Sequence, residues 1–329
     1  MPRRAIHDHY GEPRQVLRIL EAPAEHPSPD EVVIKMEAAA MHIADLRTII
    51  GAERFRYPLP RTPGYEGIGR VVRTGNRVTS LCVGDRVFPA LGSGTFREEV
   101  RCLADSCLPA PEGDARQLCL LTVNGSTAWV LLKDFAKLQK GDWVIQNAAN
   151  SSCGRYVIQL AHRHRLRTIN VIRRPALIDE LKSFGADVVL LDGPNLADRV
   201  SEAVGPVSIR LGLDAIAGSA TQRLAECLAP DSPLVCYGAM SGKPCEIDFY
   251  LMFRQGIILQ GISFVRQLRH RTVDQVRDIY GELSALVANG TLQARIAGVF
   301  PLACILEACD LAALTGCDRN GKVIITFNN

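Results

Sequence analysis

From residue 142 onward, short apolar runs alternate with amphipathic ones, and this rhythm restricts the fold more than any other feature of the chain. "DWVIQNAA", "RTINVIR", "DVVLLD", "IRLGLDAIA", "PLVCYGAM" and "IILQGISFV" read as strands. "CGRYVIQLAHRHR", "ALIDELKSFG", "NLADRVSEAVG" and "SATQRLAECLA" read as the helices between them. Strand–helix–strand alternation with short connections builds an α/β fold around a doubly wound parallel sheet. Strands that are apolar along their whole length are expected where helices cover both faces.

On either side the pattern differs. Residues 1–120 carry short apolar runs separated by Gly, Pro and Asp, such as "EVVIKMEAAAM" and "GIGRVVRTG", a strand-and-turn signature. "TVDQVRDIYGELSALVANG" places Val273, Val276, Ile279, Tyr280, Leu283, Leu286 and Val287 on one helical stripe that stops at Asn289–Gly290. The C-terminus returns to a strand-like "GKVIITF". The reading is a β-rich domain of residues 1–120 plus 267–329, interrupted by a nucleotide-type domain of residues 121–266. A chain of 329 residues suits two domains.

Composition excludes several classes of protein. Lys and Arg number 38 against 35 Asp and Glu, a net charge of +3, and they are scattered, so no nucleic-acid surface is expected. No apolar run reaches membrane-span length, and "MPRRAIHDHYGEP" lacks an apolar signal core. Eleven cysteines form no C-x-x-C pair, so neither a zinc knuckle nor a disulfide framework is expected. Free thiols point to a reducing compartment. The expectation is a soluble cytoplasmic protein with no membrane or nucleic-acid partner.

The first strand of the alternating block runs into "QNAANSSCGRYVIQLA". In a dinucleotide fold such a turn feeds a helix whose free N–H groups and dipole attract a pyrophosphate. Asn150, Ser151, Ser152, Cys153 and Gly154 are the candidate phosphate-binding residues. With Ala148 and Ala149 they keep side chains small, and Gly154 permits close helix–strand packing. A plain polar turn is the alternative from the motif alone; its place after the first strand favours a nucleotide. At the end of the second strand, Arg173 and Arg174 stand where an acidic residue would hold a ribose 2′-hydroxyl. Arginines there suit a 2′-phosphate, so the cofactor read is NADPH.

"NGSTAWVLLKDFAKLQKGDWVIQNAANSSCGRYVIQLA", "LRTINVIRRP", "PLPRTPGYEGIGRVVRTGNRV", "VGDRVFPALGSGTF" and "VCYGAMSG" resemble the medium-chain dehydrogenase/reductase superfamily. The resemblance is to its zinc-free branch of enoyl thioester reductases and NADPH:quinone-oxidoreductase-like proteins, and it covers nearly the whole chain. It implies a GroES-like catalytic domain around a Rossmann domain, and a homodimer joined through the Rossmann edge strand near residues 257–265. It further implies that Asn124, Thr127, Tyr237, Gly238, Met240 and Phe264 lie around the cofactor. The family's zinc-ligand places fall at His42, Tyr65 and the Asn124–Gly125 region, which do not make a tetrahedral site; no metal is expected.

The activity implied is NADPH-dependent, zinc-independent reduction of an activated C=C bond in a 2-enoyl thioester, a quinone or an enone. Relatives place a tyrosine after "ADLRTIIG" to position the substrate carbonyl and donate a proton. Ungapped alignment puts Glu53 there, with Tyr57 the next phenol along. Tyr57, Glu53 and His42 are therefore the candidate catalytic residues, with no side-chain acid on this loop as the further possibility. Loss of that tyrosine keeps open a non-catalytic or specialised-pathway NADPH-binding protein.

Overall fold

A computed structural model describes residues 1–53, 56–314 and 319–327. The chain forms two compact units, Met1–Val123 with Arg277–Asn329, and Asn124–Val276. The first unit begins with strands β1 (Arg3–Ile6), β2 (Arg18–Glu21), β3 (Glu31–Met41), β4 (Glu66–Thr74), β5 (Arg86–Phe88), β6 (Glu99–Leu103) and β7 (Leu108–Pro109). The second contains β8 (Trp143–Gln146), β9 (Arg167–Ile172), β10 (Val188–Leu191), β11 (Ile209–Asp214), β12 (Pro233–Cys236) and β13 (Ile258–Gly261). Strands β14 (Ile296–Pro301) and β15 (Lys322–Thr326) return to the first unit.

In the first unit, β1 and β2 form an antiparallel pair, and the larger sheet runs β14-β15-β3-β4-β5-β7 with β6 also on β3. The eleven-residue β3 is its hub. Ala38, Ala39 and Ala40 are fully buried there, where β3 pairs with β15 on one side and β4 on the other. On β4, a Cβ at Gly69 would meet the Lys35 carbonyl oxygen at 2.3 Å, so this close approach admits only glycine. Ile34, Met36, Phe96, Val100, Val323 and Ile325 pack with Ile305, Ala308 and Cys309 of the helix Ile305–Ala313. Each large side chain buried this way stabilises by roughly 1.5–3 kcal/mol.

The second unit is a six-stranded sheet in the order β10-β9-β8-β11-β12-β13, with every neighbouring pair parallel. This is the doubly wound order in which the direction of winding reverses between the first and fourth strands, here β8 and β11. Ten consecutive residues of the helix after β8, Ser152–Ala161, are buried. One expectation needs correcting: the strands are not apolar throughout. Gln146, Thr168 and Asn170 are buried on β8 and β9. They hydrogen-bond one another, Gln146 Nε2 donating to Asn170 Oδ1 at 2.8 Å and Asn170 Nδ2 to Thr168 Oγ1 at 2.9 Å, while Gln146 Oε1 is buried without a partner.

The helix Val273–Ala288 buries Ile279, Tyr280, Leu283 and Leu286, while Val273 in its first turn is exposed. No helix among the described residues is long and apolar enough to cross a membrane. Ten of the eleven cysteines are described, all as free thiols; Cys317 lies outside the described residues.

Candidate active site

In the second unit, β8 ends at Gln146 and the chain turns through Asn147–Ser151, with Ala148 at φ +47°. Ser151 caps the next helix, its Oγ accepting from the Gly154 N–H at 3.0 Å. A Cβ on Gly154 would sit 2.7 Å from the Ala149 carbonyl oxygen and 2.8 Å from that of Ala148. Glycine is thus what lets helix and turn close on each other. Arg155, almost wholly buried, donates to the Asn150 carbonyl and pairs with Glu180 at 2.7 Å, holding the turn from behind. The first turn of a twelve-residue helix consequently presents its N–H groups beside small residues, a cradle that fits a phosphate. Gly154→Ala forces the turn to shift, and overpacking of this kind costs about 1–3 kcal/mol. NADPH affinity measured by fluorescence titration is expected to fall roughly ten- to a hundredfold; unchanged affinity would contradict the assignment.

The switch point is tied by a buried network that sequence reasoning missed. Asn147 Nδ2 donates to Asp214 Oδ1 at 2.6 Å, and the Ala215 N–H donates to Asn147 Oδ1 at 2.8 Å. Asp214 also accepts from the N–H groups of Ile216 and Ala217 and from Thr221 Oγ1. These bonds fix the ends of β8 and β11 relative to each other. An Asn and an Asp each closing an apolar strand were the available signal.

The remaining cofactor candidates occupy distinct places in this unit. Arg173 follows β9, is exposed, and makes no hydrogen bond or ion pair among the described residues; Arg174 beside it is half-buried. Tyr237 and Gly238 follow β12, and a Cβ on Gly238 would meet the Ala215 carbonyl at 2.8 Å. Met240 is 65% exposed, its N–H bonded to the same carbonyl oxygen. Phe264 opens the short helix after β13. Asn124 and Thr127 lie at the start of the unit, Asn124 in a π-helical turn, Leu121–Gly125, that leads into the helix Ser126–Lys133. The Asn124 Nδ2 group is buried without a partner.

In the first unit the catalytic candidates separate. Glu53 lies on the surface, paired with Arg47 Nε at 2.7 Å. That pairing and partial exposure leave it without the burial an acidic role requires. Tyr57 instead turns inward. Its hydroxyl is 3.3 Å from that of Tyr65, which is 3.5 Å from Thr48 Oγ1. Arg61 stacks on the Tyr57 ring at 3.9 Å, and Tyr10 donates to the Tyr57 carbonyl at 2.6 Å, so two contacts set its orientation. Burial pushes the Tyr65 phenol up to about 12, keeping it a neutral donor.

His42 caps the helix Ile43–Ile50 and is buried in a charged cluster. Lys322 Nζ donates to its Nδ1 at 2.8 Å, which leaves the ring proton on Nε2 to donate to Glu66 Oε1 at 2.5 Å. Glu66, fully buried, also accepts from Thr122 Oγ1 at 2.8 Å and the Val123 N–H at 2.6 Å. Asp45 accepts from the His42 N–H at 2.8 Å, and burial raises its carboxyl to about 6 against the pull of His42 and Lys322.

These donors do not fit a zinc ion. Both nitrogens of His42 are engaged, an ammonium stands 2.8 Å from one of them, and Tyr65 brings a neutral phenol in place of a thiolate or imidazole. Among the described residues, three potential ligands converge at Asp214, Cys236 and Cys245. Asp214 there is already saturated with hydrogen bonds.

A parallel sheet with this switch point and glycine-tight turn defines a dinucleotide-binding oxidoreductase scaffold. Family patterns agree: residues 28–112 match the alcohol dehydrogenase GroES-like domain and residues 153–280 the zinc-binding dehydrogenase family. The human mitochondrial enoyl-[acyl-carrier-protein] reductase is 34% identical over 310 residues, covering 91% of this chain and 82% of that protein. The Arabidopsis thaliana mitochondrial enoyl-[acyl-carrier-protein] reductase is 32% identical over 338 residues, covering 98% and 87%. A mycobacterial quinone oxidoreductase superposes with a TM-score of 0.88 at 26% identity, over 99% of this chain and 100% of that one. The chain belongs to the medium-chain dehydrogenase/reductase superfamily, on the branch of the enoyl thioester and NADPH:quinone reductases. The cytoplasmic expectation is overturned by the human and Arabidopsis relatives, both mitochondrial enzymes.

Proposed function

We propose that this protein is an NADPH-dependent reductase of activated C=C bonds that works without zinc, with 2-enoyl thioesters as its first substrate class. Its relatives are enoyl-[acyl-carrier-protein] reductases, and a mycobacterial relative at 26% identity is known with NADPH bound. The observation that carries the reading is the row of hydroxyls at Tyr57, Tyr65 and Thr48, in the unit whose His42 has both ring nitrogens bonded. The cofactor supplies a hydride to the β-carbon. The Tyr57 hydroxyl bonds the substrate carbonyl and delivers the proton to the α-carbon, with Tyr65 and Thr48 orienting it; a neutral phenol does this without repelling the developing enolate. The alternative of a non-catalytic NADPH binder rested on Glu53 in a tyrosine's place, and the enoyl reductase relatives do not favour it. Rates of NADPH oxidation with a short trans-2-enoyl thioester, a quinone and an enone test the reading. The thioester is expected to give the highest kcat/KM, and no oxidation with any of them overturns it.

Arg173 and Arg174 are assigned to the 2′-phosphate. A charge-assisted hydrogen bond contributes about 1.5–3 kcal/mol, so Arg173→Ala should weaken NADPH roughly ten- to a hundredfold and leave NADH unaffected. Equal losses for both nucleotides would contradict the assignment.

The assembly assigned is a homodimer through β13 in the 257–265 segment. β13 is the open edge of its sheet, Ile258 is 54% exposed, and the preceding helix Phe249–Gln255 exposes Phe249, Tyr250 and Phe253. Unprotected strand edges and exposed apolar groups favour pairing. A Phe253→Asp, Ile258→Lys variant is expected to elute as a monomer in light scattering, where the wild type is a dimer.

A further inference from the structure

Next to the Tyr57 loop, the first unit holds a separate cavity of about 410 Å³. Three arginines line it, Arg4, Arg61 and Arg97, together with Ser93, Pro58 and Pro60, and no carboxylate does. Arg4 and Arg97 sit opposite each other across a backbone bridge, near enough for the Arg4 charge to act on Arg97. Arg97 is held in place by the carbonyls of Gly94 at 2.9 Å and Ser93 at 2.7 Å, and its carboxylate partner, Glu25, is 3.4 Å away. Arg61 is held by stacking on Tyr57. The Arg4 side chain makes no hydrogen bond or ion pair among the described residues.

Three polar groups here lack partners. Arg4 Nε, Arg61 Nε and Ser93 Oγ are all buried without a hydrogen-bond partner. Buried donors are normally satisfied, and clustered like charges are unfavourable unless neutralised. Burial above all depresses the Arg97 guanidinium below its ordinary value, with Arg4 and Arg101 adding to the effect and Glu25 opposing it. One group removes both costs: an oxyanion with several acceptor oxygens, which planar guanidiniums bind in forked pairs.

We propose that this cavity binds a phosphate-class anion, and that in the reductase the anion is the phosphate on the carrier arm of the enoyl thioester. The assignment rests on the reductase reading and sharpens it, because quinones and simple enones carry no phosphate. Pro58 directly follows Tyr57 and Pro60 comes two residues later, so the chain that delivers the proton donor also walls the anion site. Phosphate recognition would then hold the thioester by its carrier while leaving the acyl chain to the catalytic hydroxyls.

The test compares an enoyl-CoA with the same enoyl group on N-acetylcysteamine, which lacks phosphate, in the wild type and in Arg4→Gln, with Arg4→Lys as the conservative rescue. NADPH is kept saturating so that the phosphate site of the second unit is filled. KM for the CoA thioester is expected to be about tenfold below that for the phosphate-free one. Arg4→Gln should erase that difference, and Arg4→Lys should restore part of it. Inorganic pyrophosphate should raise the melting temperature of the wild type and not that of Arg4→Gln. Equal KM values in the wild type together with no stabilisation by pyrophosphate overturn the proposal. Stabilisation with equal KM values assigns the cavity to free phosphate and overturns the carrier assignment. If neither thioester is reduced, the reductase reading falls, and the pyrophosphate melting shift still decides whether the anion site exists.

Discussion

Replacing Tyr57 with Phe is expected to lower kcat for an enoyl thioester by about 10²–10⁴-fold, the usual range for removing a positioned proton donor. Phe keeps the ring under Arg61 and the backbone carbonyl that Tyr10 bonds, so the loop should stay where it is. The loss should therefore appear in kcat, with NADPH affinity unchanged. Glu53→Gln is the companion variant. Its carboxylate faces Arg47 on the surface, and an exposed pair of this kind contributes only about 0–1 kcal/mol, so activity should stay near that of the wild type. Steady-state kinetics of the two variants side by side separate the roles; a large kcat loss in Glu53→Gln with little in Tyr57→Phe would reverse them.

The second large effect is on stability. Glu66 is the buried anion that His42, Thr122 and Val123 all donate to. Glu66→Ala leaves those donors, and the Lys322 charge behind His42, without their acceptor. Removing one partner of a buried charged cluster costs about 3–5 kcal/mol. For a unit of this size that is a drop in melting temperature of roughly 6–20 °C. Glu66→Gln keeps an oxygen for Thr122 and Val123 and should lose less. Differential scanning calorimetry reads both, and a Glu66→Ala protein that melts with the wild type would show the cluster contributes nothing to stability.

Much of the fold could be read from local pattern. The alternating block from residue 142 corresponds to the six parallel strands, because covered strands must be mostly apolar and their connecting helices amphipathic. The turn at Ser151–Gly154 was legible from its place after the first strand of the block, since its motif alone also fits a plain polar turn. Polar strand residues were the exception. Gln146 and Asn170 sit on neighbouring strands and bond each other, and no single segment reveals that they will pair. The charged cluster was hidden for the same reason on a larger scale. Residues 42, 66, 122 and 322 meet only when β15 and β4 flank β3, so nothing near His42 in the sequence reveals its partners. Glu53 and Tyr57 could not be ranked from spacing, since the choice depends on which of the two Arg47 captures and which turns inward. The compartment was inferred from free thiols, and these report a redox environment and do not distinguish one reducing compartment from another.

Hydride transfer from NADPH to the β-carbon of an enoyl thioester is the claim on which the rest depends. The direct measurement is turnover of a trans-2-enoyl thioester with NADPH deuterated at the transferred position, followed by mass and NMR analysis of the product. The saturated thioester carrying one deuterium at the β-carbon is the expected result. NADPH oxidation without deuterium in the acyl chain, or no turnover while NADPH still binds, would contradict it.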